Sequence, residues 1–574
     1  MPISDKDGKV IFSDICKDLI LQPYEFITNS IDYYGFSFND DGSFSGYCNL
    51  YASLSERDQN GSVTGFYKVQ WSADGKCISI VECTEEVEFE DYHTVRSLSD
   101  GANYSIASSG VSRVDAEGNY LSKYFDFINS DMVALGFEVI AVRDDDSFSG
   151  IYKDAVGNTV LACFNRNADG FFNRTAILLA CTDLDISLME DIYNYNIYHK
   201  DFRITVYDYS DRAISGTPQE AWDLLKSDIE GGLSPDIILN STGYDKDFIS
   251  TLCADDRLSE LSDVIYKDSE LKGISFSDKA SELFYEKDKI YAVVPSYSYD
   301  TVLGQAGPFD VTSSWDISAF SSFTSTLPEY KYAFDNDTQV TFIQKILFYD
   351  GYDYVDYRNG TASFDSEGFT SLLNYASTLP ADISAINLLR NSESYQGGAL
   401  IAGDWIRIGD IHLDATKFCQ GQYIDIGFPS DSNPSGVISA DCSFMVMSGN
   451  ANTNECWTII RRYLTSEYQT DYTLSIPVTA EGYAAWKENV YPTAWKPEDF
   501  VYTLDGVEYT VFSPNEDEAA YIVSKIEKCD KMAFSDYYVE QIVMDYAAQF
   551  FEGTISAEQA AQSIDRDVEA YLNS

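Results

Sequence analysis

The sequence predicts an all-β N-terminal region followed by an α/β unit built on a parallel sheet, and three observations carry that division. Through about residue 190, short alternating runs are separated by Asp40-Asp41-Gly42, Asp74-Gly75, Glu117-Gly118, Asp144-Asp145-Asp146 and Asp169-Gly170. Acidic and glycine turns at such spacing are the signature of hairpins in a meander. From Phe202 onward the period changes to strand, amphipathic helix, strand, which is a βαβ unit. Finally, Lys289 to Gly304 (KIYAVVPSYSYDTVLG) is an apolar β-run that stops at Pro295 and resumes with alternating hydroxyl and aromatic side chains. A proline-broken strand of this kind in mid-chain fits a passage between two lobes.

Within the β-region, residues 1–190, there is weak internal similarity. Asp41-Gly42-Ser43-Phe44-Ser45-Gly46-Tyr47 recurs as Asp145-Asp146-Ser147-Phe148-Ser149-Gly150-Ile151. Tyr67 to Val81 and Gly110 to Phe125 share a strand, turn, strand pattern. Repeating meanders suggest propeller-like blades, with an antiparallel sandwich as the alternative. Asn165-Arg166-Asn167-Ala168-Asp169-Gly170 has the oxygen spacing that opens an EF-hand loop. Ala176 stands where that loop needs a bidentate glutamate, so a hairpin turn is expected and no metal site.

Residues 191–574 form the second region, entered through a polar, tyrosine-rich bridge from Asp191 to Asp201. Phe202 to Ser210 reads as a strand. Thr217-Pro218-Gln219-Glu220 is a capping box with proline at the first helical position. Ala221, Leu224, Leu225 and Ile229 share one helical face, Gly231-Gly232 ends the helix, and Pro235 to Asn240 is a second buried strand. Ligands of parallel sheets bind beyond the carboxyl ends of strands. That rule places Tyr209, Ser210 and Asp211 at one strand end, and Asn240, Ser241 and Tyr244 at the next.

Composition narrows the partners. With 93 acidic against 38 basic residues the net charge is −55, a surface that repels nucleic acid and anionic lipid. The 11 cysteines form no CxxC pair and read as small buried thiols. His93, His199 and His412 lie far apart without a nucleophile signature, and no Walker A loop, HExxH or suitably placed GxGxxG is present. No cofactor and no catalytic residue is expected, although paired carboxylates of a carbohydrate-active hydrolase have no fixed spacing to search for.

Six ordered segments are similar to the extracellular solute-binding proteins of ABC importers, the maltose-binding-like group. They are Pro235-Asp236-Ile237-Ile238, Leu283 to Pro295, Ser314-Trp315-Asp316, Ala399 to Trp405, Ile426-Gly427-Phe428-Pro429, and the C-terminal stretch from Phe550 through the capping box Ser556-Ala557-Glu558-Gln559. The resemblance covers some 370 residues and does not extend to the β-region. It implies a type II periplasmic-binding-protein-like fold with two lobes, a first crossing near 295–304 and a return near 428–440. It further implies a monomeric, extracellular, lipid-anchored receptor that hands a carbohydrate to ABC permease subunits. A surface adhesion or scaffold role resting on the β-region is the alternative.

For a sugar ligand, aromatic faces pack on pyranose C–H faces while carboxylates and amides accept hydroxyl hydrogen bonds. Trp405 is the first candidate, because its segment resembles the one bearing a stacking tryptophan in sugar-binding relatives. Of Tyr297 and Tyr299, one is expected to face the cleft and the other to pack in the hinge. Asn240, Ser241 and Tyr244 occupy a strand-end loop, Asp211 and Asp404 are hydroxyl acceptors, and Tyr537 opens a C-terminal helix where relatives place an aromatic. Core packing competes at Trp405 and Tyr537, and plain solvation at the aspartates. Trp457, in an apolar helical pattern, and Trp315 read as structural.

Overall fold

The computed structural model describes most of residues 174–574, leaving out 185, 214–217, 286–288, 306–314, 336, 383–384, 386–397, 405–422, 434, 473–474, 490–500, 505–506, 511–515 and 574, and before residue 174 it describes chiefly the strands and turns named below. The chain divides into two compact units, Met1–Ala176 with Asp185–Thr205, and Ile177–Leu184 with Val206–Ser574.

The first unit is mostly antiparallel meander. Thr28–Phe38, Phe44–Ser53, Ser62–Trp71 and Cys77–Cys83 pair in sequence order, as do His93–Arg96, Asn103–Ala107, Gly110–Val114 and Tyr120–Asp126, and then Glu138–Asp144, Ser147–Lys153 and Thr159–Asn165. The repeated heptapeptide marks equivalent places: Phe44 and Phe148 sit at or next to the start of the second strand of their sheets. The Asn165–Gly170 turn lies almost wholly outside the described residues.

The bridge from Asp191 to Asp201 is largely helix, Ile186–Tyr198. Leu188, Ile192 and Asn196 recur every four residues and are buried, a helical stripe hidden in the sequence by interspersed tyrosine and asparagine. Asn196 belongs to that stripe because its amide is satisfied. Its Nδ2 donates to the Ile204 carbonyl at 3.0 Å and its Oδ1 accepts from Ile204 N at 2.8 Å.

Two main sheets follow the meanders. The first has the order Phe202–Asp208, Thr175–Cys181, Ile237–Asn240, Ser443–Val446, Ala292–Val293. The predicted βαβ unit is present, with helix Pro218–Glu230 between its strands. Thr175–Cys181 is inserted between them and runs parallel to Ile237–Asn240. The second sheet has the order Tyr332–Phe334, Gly398–Asp404, Ser296–Gln305, Tyr423–Asp425, and Val437–Ala440 also pairs with Ser296–Gln305.

Among the described residues, three segments lie between the sheets. Val294-Pro295 joins Ala292–Val293 of the first to Ser296–Gln305 of the second. Asp441-Cys442 returns from Val437–Ala440 to Ser443–Val446. The third was not read from the sequence: Lys531 to Ala533 runs beside Ile438, which donates to the Lys531 carbonyl and accepts from Ala533 N, each at 2.9 Å. Each sheet carries its own core. Trp222, Leu225, Ile229, Ile238 and Met445 centre the first lobe. Phe320, Phe342, Phe369, Phe428 and Ile564 centre the second.

The closing helix forms as its capping box requires. Ser556 Oγ accepts from Gln559 N and Gln559 Oε1 accepts from Ser556 N at 2.9 Å, while Ala560, Ile564 and Val568 are buried. Trp457 is core, as expected, with its indole N–H on Asp268 at 2.7 Å. Cys181, Cys456 and Cys529 are buried thiols.

A buried carboxylate makes the second lobe sensitive to pH. Asp350 is 2% exposed, and its Oδ1 meets Lys531 Nζ at 2.7 Å. Burial raises its pKa to about 7 and Lys531 only partly offsets this. Asp223 and Asp337, also buried beside lysines, are raised to about 6. Between an unfolded carboxylate value of about 3.9 and these folded values, the native chain holds protons that the unfolded chain releases. Their stabilising contribution is complete below that window and lost as pH rises through it. Calorimetry from pH 5 to 8 is therefore expected to show a melting temperature that falls with pH for this group, and a shallower fall in Asp350→Asn. Equal slopes for both proteins would show that Asp350 does not titrate there.

Candidate functional site

A cavity of about 420 Å³ opens where the two lobes of the second unit meet. Five elements converge on it. The helix Gln339–Tyr354 starts at Thr338, whose side chain accepts from Thr341 N in a capping box. Thr341, Gln344, Lys345 and Phe348 then repeat at three- and four-residue steps, which puts them on one helical face along the cavity wall. The strand Ser296–Gln305 contributes Asp300, and Gly398–Asp404 contributes the small residues Ala402 and Gly403. The segment entering helix Tyr537–Phe551 brings Phe534, Ser535, Asp536 and Glu540, and Gln219 reaches in from the first lobe.

Most polar groups here are already oriented. Asp300 Oδ2 accepts from Ser439 Oγ at 2.9 Å and from Ser298 Oγ at 3.2 Å. Gln344 Nε2 donates to Glu540 Oε1 at 2.8 Å. Lys345 Nζ stands 3.4 Å from Asp337 and 5.2 Å above the Phe334 ring. Gln219 Oε1 accepts from Ser535 Oγ across the two lobes, while its buried Nε2 has no acceptor among the described residues. Tyr349 stacks on Phe428 with 5.0 Å between ring centroids and a 3° interplanar angle. The arrangement offers fixed acceptors, amide donors and an aromatic wall, and each carboxylate is already engaged as a hydrogen-bond acceptor.

Tyr297 and Tyr299 are both buried, at 0% and 2% exposure. The expectation that one of them faces the cleft and the other the hinge does not describe this conformation, because residues two apart on a strand share a face. Tyr297 packs against Phe284 and Tyr299 donates to Asp425 Oδ2 at 2.8 Å. The alternate face of the same strand carries Asp300 into the cavity.

Asn240, at 1% exposure, folds back on its own turn, accepting from Thr242 N at 2.9 Å and from Thr242 Oγ1. Ser241 donates to the Asp183 carbonyl at 2.8 Å and Tyr244 to the Phe284 carbonyl at 3.2 Å. Asn240 and Tyr244 line a void of about 30 Å³ that shares Ser535 with the larger cavity. Tyr537 is half-buried and edge-on to Tyr538, one residue beyond Asp536. Asp211 lies in the turn Ser210–Arg212, and Asp404 ends its strand opposite Asp300. Trp405 lies outside the described residues, directly after Asp404.

Several cavity-lining residues lie next to residues or within segments named from the sequence. Gln219 sits inside the quoted capping box and Asp300 inside the crossing segment. The Thr341, Gln344, Lys345 face was legible as a polar i, i+3, i+4 stripe but was not singled out.

No protein-family model matches the sequence, and no curated protein matches it. Solved structures do. One is the sugar-binding protein MalE from Xanthomonas citri, at 12% identity, 70% of this chain, 98% of that chain and a TM-score of 0.43. Another is an ABC substrate-binding protein from Listeria monocytogenes in complex with cycloalternan, at 12% identity, 70% and 100% coverage and a TM-score of 0.43. A third is an extracellular solute-binding protein family 1 member from Alicyclobacillus acidocaldarius, at 9% identity, 71% and 100% coverage and a TM-score of 0.40. Among the described residues, no helix is long and apolar enough to cross a membrane and no cluster of ligating side chains suits a metal ion.

Proposed function

We propose that this chain is the substrate-binding component of an ABC importer and captures a carbohydrate between its two lobes. The observation that carries the reading is the interlobe cavity, with Gln219 on one side and the Thr341, Gln344, Phe348 face on the other. Amides and carboxylates held by other side chains suit sugar hydroxyls, and aromatic walls suit C–H faces. Three passages between the sheets supply a hinge, and a ligand touching both lobes favours the closed state by its differential affinity. In this reading Trp405, Asp404 and Tyr537 also contact the ligand, with Asn240, Ser241, Tyr244 and Asp211 at the strand ends of the first lobe.

The partner would be an ABC permease, the location extracellular and lipid-anchored, and the receptor a monomer. In this reading the β-region up to about residue 190, a propeller-like or sandwich module, would be a separate attachment to the receptor. Isothermal titration against a panel of oligosaccharides tests the ligand class. Micromolar or tighter binding of at least one sugar is expected, and a folded protein that binds none of them overturns the carbohydrate reading.

A further inference from the structure

One buried amide donor at the interlobe cavity is left without an acceptor. Gln219 is the second residue of helix Pro218–Glu230, whose Ala221, Trp222 and Leu225 belong to the core of the first lobe. Its side chain reaches the second lobe, where Oε1 accepts from Ser535 Oγ. Ser535 is itself fixed on both sides. Phe534 before it is part of the second-lobe core, and Asp536 after it caps helix Tyr537–Phe551 by accepting from Val539 N at 3.1 Å. The hydrogen bond therefore joins a rigid element of one lobe to a rigid element of the other. Gln219 lines the cavity, and its Nε2 is buried with no acceptor among the described residues. The second lobe presents the opposite polarity. Gln344 Nε2 is spent on Glu540 Oε1 at 2.8 Å, which leaves the Gln344 carbonyl oxygen as an acceptor on the cavity wall.

We propose that Gln219 is the specificity-determining donor of the first lobe: Ser535 holds its Oε1, and its Nε2 donates to one hydroxyl of the bound sugar. A buried donor without a partner is costly, and native structures keep few of them unless something else completes the bond. A ligand that completes it must present an acceptor to the first lobe, and a donor to Gln344 on the second. Hydroxyl groups do both, each offering one O–H and two lone pairs. Ser535 meets Gln219 only where the lobes are together, so closure orients the amide that reads the ligand. Ser535 is thus a positioning residue, and Gln219 makes the contact.

This assignment rests on the carbohydrate reading of the cavity, and one experiment separates the two. Titration calorimetry on the full chain uses the tightest-binding oligosaccharide of the panel and its complete monodeoxy series. In the parent protein, loss of one particular hydroxyl is expected to cost roughly tenfold in affinity, the size of a single hydrogen bond. In Gln219→Met, which keeps the length of the side chain without its amide, that deoxy analogue and the intact sugar are expected to bind within about twofold of each other. Gln219→Glu keeps the acceptor for Ser535 and removes only the donor, so it is expected to lose the same penalty, and the result does not hang on the folding of one variant. Ser535→Ala leaves the donor but frees the amide, and the intact sugar is expected to bind roughly threefold more weakly. A deoxy penalty that persists in both Gln219 variants would overturn the proposal and leave water as the partner of Nε2. Unchanged affinity in Ser535→Ala would overturn the positioning role. A folded parent that binds no sugar removes the carbohydrate reading and this assignment with it, whereas sugar binding without the coupling removes the assignment alone.

Discussion

Asp425→Ala is expected to lower the melting temperature of the two-lobed unit by roughly 5–15 °C, corresponding to about 3–5 kcal/mol. Asp425 is 4% exposed and ends strand Tyr423–Asp425 beside the crossing strand. Three donors converge on its carboxylate: Tyr299 OH at 2.8 Å, Thr301 Oγ at 2.7 Å and Gly427 N at 3.2 Å. Removing the acceptor takes the carboxylate from the buried Tyr299 hydroxyl and loosens the Thr301 and Gly427 contacts, although Gly427 N keeps its bond to the Val302 carbonyl at 3.2 Å; a buried donor left unsatisfied costs about 1–3 kcal/mol. Burial and the Asp425 charge both drive the Tyr299 hydroxyl pKa far upward, so Tyr299 stays a donor at every relevant pH. The donors also sit where the chain has least freedom to adjust. Gly427 has φ +69°, and a Cβ there would fall 2.6 Å from the Ser435 backbone, so this turn is fixed by geometry as well as by the bond. Asp425→Asn keeps one acceptor oxygen and is expected to lose about half as much. Thermal unfolding of both variants is the check. A change within 2 °C for Asp425→Ala, on the order of the ~1 kcal/mol of an ordinary surface change, would show that the network adds nothing to stability.

How far the sequence reached depends on which physical signal each residue carries. Capping boxes are local, so Ser556 with Gln559 and the helix beginning at Pro218 were legible, as were hairpins marked by acidic turns. The βαβ unit was legible too, but the strand inserted between its strands was not. Thr175–Cys181 comes earlier in sequence than the strands it separates, and pairing order is set by tertiary contact. The helix Ile186–Tyr198 was missed because a buried asparagine stands in its apolar stripe, and the amide is acceptable there only through bonds to Ile204. At the site, composition identified the segments while geometry selected the residues. Tyrosines at 297 and 299 attract attention, yet burial on both edges and faces of the central strand takes them out of contact with the cavity. Asp300, inconspicuous among 93 acidic residues, is presented there by strand alternation. The third passage between the lobes, Lys531 to Ala533, has no composition of its own; it is defined by pairing with Ile438.

The strand Gly398–Asp404 carries the other large expectation, a loss of sugar affinity of roughly 30-fold or more in Trp405→Ala, equivalent to about 2 kcal/mol. Its register is fixed by antiparallel pairing with the crossing strand, Ala402 opposite Val302, Gly403 opposite Thr301 and Asp404 opposite Asp300. Ala402 and Gly403 line the cavity without filling it. Trp405 comes two residues after Gly403 in the sequence, and in the proposed function it is the stacking platform for a pyranose ring. A stacking tryptophan gives its energy through area and shape, so truncation to alanine removes most of it, whereas Trp405→Phe is expected to retain a large part. Titration with the best sugar of the panel measures the effect, and the melting temperature separates it from misfolding. If Trp405→Ala melts as the parent does and binds within twofold of it, Trp405 is not the platform. The aromatic contribution would then pass to Phe348 and Phe534, whose rings already line the cavity.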